Sequence, residues 1–159
     1  EIACCLVGSE MCIRDSGAAV GGRNLKYPPI AISVASYDAQ DIDFISFKSI
    51  EIMEKIIQKP NAYKRKVINI NFPDINSDEF KGVKATVISK RDVPPKPILV
   101  SEDEENQSVY RYNYSGEPLE EDFLTDAIAV QEGYVSVSVL DYSLNSKIFI
   151  DQLNRILNE

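Results

Sequence analysis

The chain has 159 residues, of which 44% are hydrophobic, enough for one domain around a single core. Its formal net charge of −8 argues against broad contact with a nucleic-acid polymer or an anionic membrane. Histidine is absent, which excludes Ser-His-Asp and Cys-His catalysis, His-ligated zinc and imidazole bases, and leaves hydrolysis to carboxylates, hydroxyls, amides or an oxygen-held metal.

All three cysteines, Cys4, Cys5 and Cys12, precede Ile13. Their spacing is poor for zinc, which favours two C-x2-4-C pairs. The run Leu6–Ser16, "LVGSEMCIRDS", matches the conceptual translation of a transposon-type sequencing adapter. Residues 1–16 are therefore expected to be a non-native, disordered segment, excluded from fold reasoning like any fusion scar. The apolar run "IACCLVG" is too short to span a bilayer and lacks the basic flank of a signal peptide, so the cytoplasm is the expected location.

Gly17–Leu25, "GAAVGGRNL", reads as the tail of a helix of small residues, ended by Gly21-Gly22. After the breaker Tyr27-Pro28-Pro29, the apolar run Ile30–Ser36 reads as a strand buried on both faces. Asp43, or its near rival Asp41, caps a helix whose Ile45, Ile52, Met53 and Ile56 face the core, with Ile50 and Ile57 widening that face. Pro60 stops it, and Val67–Phe72 is the next strand. Strand, helix and strand in this order predict a parallel pair joined by a right-handed crossover.

Val83–Ser89 alternates like a strand with one wet face. Ile98–Val100 and Val109–Tyr114 flank the acidic "SEDEENQ", a long hairpin with a charged tip. That tip lacks the D-x-D-x-D-G calcium framework and reads as a solvated turn. Thr125 caps a short helix through Gln131, closed by Gly133. Tyr134–Leu140 is a further strand, and Ser143 caps a final helix with an apolar edge of Phe149, Leu153 and Ile156.

The succession "GAAVGGRNLKYPPIAIS", "VININFPD", "FKGVKATVISKR" and "TDAIAVQEGYVSVSVL" resembles the C-terminal part of the survival protein SurE family across residues 17–159. The resemblance implies an α/β fold, a three-layer αβα, Rossmann-like domain whose N-terminal half is missing here. A projecting hairpin (about 97–114) and a tail helix (about 143–157) are implied to serve homo-oligomers, dimers or tetramers. It implies a metal-dependent phosphatase, using Mg or Mn, that hydrolyses nucleoside 5′- and 3′-monophosphates to nucleoside and phosphate.

The family's Asn-Asp-Asp-Gly and Ser-Gly-x-Asn motifs do not occur in this sequence, and Ser115-Gly116 is followed by Glu-Pro and is no substitute. No metal ligand and no catalytic group is therefore expected, and the fragment is expected to be inactive. Gly17, Thr125 and Asp126 are the substrate-adjacent candidates. Against that role, Gly17 falls inside a helix, Thr125 serves as a cap, and Asp126 complements the helix dipole. Asn69 and Asn71 share one strand face and satisfy backbone groups or order a nearby loop. The alternative to an enzyme fragment is a non-catalytic oligomerisation or binding module built from the same fold.

Overall fold

The computed structural model describes residues 17, 19–22, 24–36, 38–93, 95–102, 108–111, 116, 118–119, 121–141 and 149–158. The adapter-like segment 1–16, Tyr112, Tyr114, Ser143 and the hairpin tip lie outside the described residues.

The main sheet has four strands: β1 (Ile30–Val34), β2 (Val67–Phe72), β3 (Val83–Thr86) and β6 (Val135–Leu140), in the order β1-β2-β6-β3. β1 and β2 are parallel, with Ile30 opposite Ile68 and Val34 opposite Phe72. The expected strand–helix–strand unit is thus formed. β6 runs antiparallel to β2 and parallel to β3, so the sheet is mixed. A two-stranded sheet, β4 (Ile98–Glu102) with β5 (Ser108–Arg111), pairs antiparallel and stands apart from it. This is the expected hairpin, and both of its strands are exposed throughout.

Helix α1 (Ile42–Ile57) links the parallel pair. Its cap is Asp41, not Asp43: the Asp41 carboxylate accepts from the Phe44 amide at 3.0 Å, while Asp43 sits in the first turn and complements the dipole. Ile45, Ile52 and Ile56 pack on Ile68, Ile70, Phe72 and Val135 to form the core. Burying each of these side chains contributes roughly 2 kcal/mol. The apolar face is narrower than the periodicity predicts, because Ile50 and Ile57 lie on the outer side and Ser49 takes a buried position between Ile45 and Ile52.

Strand alternation gives the sheet two unlike faces. Ile68, Ile70 and Phe72 meet α1. Ser33, Asn69, Asn71, Ser136, Ser138 and Thr86 share the opposite, polar face, as the pairing register places them. On that face the Thr86 hydroxyl is 2.7 Å from both the Ser136 and Ser138 hydroxyls. Asn69 is buried there and its Nδ2 has no hydrogen-bond partner.

The polar face receives α2 (Asp126–Gln131), so helices pack on both sides of the sheet in an αβα arrangement. Gly133 closes α2 at φ +88°, a left-handed conformation that glycine adopts without a Cβ penalty. β3 stops at Thr86, earlier than the alternation predicts. Beyond it Val87 bridges to Thr125 and turns the chain toward α2. Helix α3 (Ile150–Asn158) ends the described chain, with Phe149, Leu153 and Ile156 exposed.

Candidate functional site

The site grows from the carboxyl ends of β1 and β2. In open α/β sheets, ligands bind in the crevice outside such ends. Ser33 and Asn71 are paired in register near these ends, and the Ser33 hydroxyl donates to Asn71 Oδ1 at 2.7 Å. Asn71 Nδ2 then donates to Asp126 Oδ2 at 3.3 Å. The other Asp126 oxygen accepts three bonds: the Ser89 amide at 2.8 Å, the Ser89 hydroxyl at 2.6 Å and the Ala127 amide at 2.8 Å. One carboxylate thus ties β2, the segment after β3 and the first turn of α2.

Thr125 is fully buried and caps α2, its hydroxyl accepting from the Ile128 amide at 3.4 Å. Gly17 is exposed and helical, with nothing within 4 Å of where a Cβ would stand. Among the three substrate-adjacent candidates, Thr125 and Asp126 are neighbours at the start of α2, and Gly17 has no described contact with them.

Beside this network lies an open groove of about 440 Å³. Ala35 and Pro73, Asp74 and Ile75, which follow β1 and β2, form one wall. Ala127, Val130 and Gln131 form the second, since residues three and four apart on a helix share a face. Arg91 and Pro118 form the third.

Arg91 is held by an antiparallel bridge to Pro118 and by Leu119, whose amide donates to the Lys90 carbonyl at 2.9 Å. Arg91 Nη1 donates to the Gly116 carbonyl at 3.3 Å, and its buried Nε has no partner. Gly116 is required by proximity: a Cβ there would lie 2.6 Å from the Asp92 carbonyl oxygen. Asp74 anchors its own loop, its Oδ1 accepting from the Gln40 amide at 2.8 Å.

Sequence reasoning singled out Asp126 but missed Ser89, Arg91 and Asp74. "ISKRDV" carries no spacing that marks a site, and only folding sets Arg91 against Gly116. Among the described residues, no group of three or more His, Cys, Asp or Glu side chains is close enough to hold a metal ion. No described helix is long and apolar enough to cross a membrane.

The fold and groove together define a mixed-sheet αβα domain with an open groove at the ends of its parallel strands. Residues 16–94 match the family model of survival protein SurE. It is 33% identical over 129 residues to the 5′/3′-nucleotidase SurE of Erwinia tasmaniensis, covering 81% of this chain and 49% of that protein. The 5′/3′-nucleotidase SurE of Yersinia pseudotuberculosis serotype O:1b is 31% identical over the same length, with the same coverage. The chain therefore spans about half the length of the curated relatives it matches. The crystal structure of the SurE protein from Aquifex aeolicus superposes with a TM-score of 0.73, covering 98% of this chain and 62% of that one. At 23% identity that likeness establishes the fold.

Proposed function

We propose that this chain carries the substrate-side part of a metal-dependent phosphatase acting on nucleoside 5′- and 3′-monophosphates, and that by itself it does not turn them over. The observation that carries this reading is the match to proteins named 5′/3′-nucleotidase SurE. The groove at the ends of β1 and β2, with Arg91 at its wall, supports it, because a guanidinium suits phosphate oxygens.

The Mg or Mn ion that the family resemblance implies would polarise the phosphate and activate water. The described residues do not fit such an ion. It needs oxygen ligands free to converge on it. Asp126, at the start of α2, already accepts four hydrogen bonds through its two oxygens. Asp74 accepts from Gln40, and among the described residues no group of three or more His, Cys, Asp or Glu side chains is close enough to hold a metal ion. The part assigned to this chain is accordingly to bind and orient substrate.

Self-association through the hairpin and tail helix belongs to the same reading. Its support is that both strands of the β4–β5 pair, and Phe149, Leu153 and Ile156 at the tail of the chain, present exposed apolar side chains. Such surface marks protein interfaces when contiguous.

The test of the enzymatic reading is phosphate release from adenosine 5′-monophosphate by the purified chain with Mg or Mn. No chelator-sensitive release is expected. Turnover that a chelator abolishes would show a complete site and overturn it.

A further inference from the structure

We propose that the outer face of α1 is a contact between two copies of this chain, the two helices lying antiparallel about a two-fold axis at Ile50. A helix packed on a sheet by one face ordinarily turns polar residues to water on the other. α1 departs from this. Its core face is Ile45, Ser49, Ile52 and Ile56, and on the opposite side, three and four residues apart, run Asp43, Phe47, Ile50, Glu54 and Ile57. Of these, Phe47 is 69% exposed, Ile50 53% and Ile57 41%. Single exposed apolar residues need no explanation, but a contiguous row of them marks an interaction surface.

Charge along the helix identifies the occupant. Asp41 and Asp43 stand at its start, and Lys55 and Lys59 at its end. The helix dipole accounts for that segregation, and it does not account for the apolar row between the two ends. A parallel second copy would set acid against acid and base against base. An antiparallel copy sets the acidic start of each helix against the basic end of the other. Among the described ion pairs, none uses Asp41, Asp43 or Lys59.

The register follows from symmetry. With the two-fold at Ile50, a residue any number of places before Ile50 faces the residue the same number of places after it in the second copy. Asp41 then faces Lys59, Phe47 faces Met53, and Ile50 meets itself. Glu54, the charge in the middle of the row, faces Ser46, which is also exposed and whose hydroxyl can donate to it. Asp43 faces Ile57 and lies two residues, about 3 Å of rise, from both Lys55 and Lys59 of the second copy. Each charge in the row thus meets a partner, and the row is complementary to itself, as an isologous contact requires. A single pair of 16-residue helices is a small contact, so the dimer is weak and depends on concentration. It stands apart from the tail helix and from the nucleotide reading.

The experiment is disulfide crosslinking of the full chain after Cys4→Ser, Cys5→Ser and Cys12→Ser, with copper phenanthroline as oxidant. Helices packed about 8–10 Å apart bring the residue on the axis within disulfide reach of its own copy. Ile50→Cys should therefore crosslink at least tenfold faster than Asp43→Cys, whose two copies stand about 21 Å apart along the axis. Asp43→Cys mixed with Ile57→Cys should give the heterodimer. Lys59→Glu should slow the Ile50→Cys crosslink about threefold, the scale of an exposed ion pair. Sedimentation in the Phe149→Asp, Leu153→Asp background removes any tail-helix contact. There Ile50→Glu, two like charges meeting on the axis, should weaken the remaining dimer at least tenfold and leave the urea midpoint unchanged, because the side chain is exposed in the single chain. Equal crosslinking rates for Ile50→Cys and Asp43→Cys would overturn the antiparallel contact. A lowered urea midpoint for Ile50→Glu at the single-chain mass would place a segment of the same chain over the row and overturn the proposal. A single-chain mass at every concentration with an unchanged midpoint would leave the row to a different protein and equally overturn it.

Discussion

Ser89 and Asp126, 37 residues apart, are joined twice: the Ser89 amide at 2.8 Å and the Ser89 hydroxyl at 2.6 Å both donate to Asp126 Oδ1. This clasp fixes where the chain goes after β3, and so where Arg91, two residues further on, meets the groove. Asp126→Ala removes an acceptor serving the Ser89 amide, the Ser89 hydroxyl and Asn71 Nδ2. Part-buried donors left without a partner should cost about 3 kcal/mol of stability. Urea unfolding checks this. A loss below about 0.5 kcal/mol, the level of an ordinary surface change, would mean that water replaces the carboxylate freely.

Gly116→Ala should loosen the Arg91 wall. The new Cβ would lie 2.6 Å from the Asp92 carbonyl oxygen and 2.8 Å from its carbon, both backbone atoms, so one segment must move. Overpacking of this kind costs about 1–3 kcal/mol. Hydrogen exchange should accelerate at the Gly116 and Leu119 amides, which donate to Asp92 and Lys90. Unaltered stability and unaltered exchange would show that Gly116 holds no such position.

Glu51 should titrate far below an ordinary glutamate. Its side-chain hydrogen bonds to Lys48 and Lys55, each 2.6 Å long, push its pKa from 4.5 down to about 2. A depressed folded-state value means that the pairing stabilises the fold fully above the unfolded value, near 4.5. That contribution falls away as pH drops from 4.5 toward 2. The group is solvent-exposed, so high salt should move its midpoint back up. A carboxyl-carbon NMR titration at low and high salt reads both effects. A midpoint near 4.5 at low salt would mean that the two lysines do not hold it.

Phe149→Asp combined with Leu153→Asp should reduce self-association if the tail helix is a subunit contact. Both side chains are exposed in the single chain, at 60% and 55%, so the charges cost little within the protomer. Sedimentation velocity should shift toward the single-chain mass, with the far-ultraviolet circular dichroism unchanged. An unchanged oligomer would assign the contact elsewhere, with the β4–β5 pair next to examine.

The sequence made the β1–α1–β2 unit legible because three signals agree there. An apolar run, a helical stripe at Ile45, Ile52 and Ile56, and a second apolar run leave one arrangement, a parallel pair with a crossover. The cap was ambiguous between Asp41 and Asp43 since both precede the stripe, and only the Phe44 amide decides between them. The position of β6 between β2 and β3 was not legible. Alternation reports which residues share a face, not which strand lies alongside. The serines at 136 and 138 gave the clue in retrospect, because they match the polar Asn69 and Asn71 opposite them.

The site was legible only at one end. Thr125 and Asp126 stand out as cap and first-turn acid in any helix of this kind. Ser89, Asp74 and Arg91 belong to segments without periodicity, and their meeting depends on long-range pairing at Val87–Thr125 and Arg91–Pro118. The family resemblance pointed to nucleotide chemistry but supplied no residue for this groove.

The most direct test of the central claim joins residues 17–159 to the part of the Erwinia tasmaniensis relative that lies outside the matched region. The account predicts that this chimera releases phosphate from adenosine 5′-monophosphate in a chelator-sensitive reaction, whereas the 159-residue chain alone does not. A folded, soluble chimera that binds the nucleotide and releases no phosphate would contradict it.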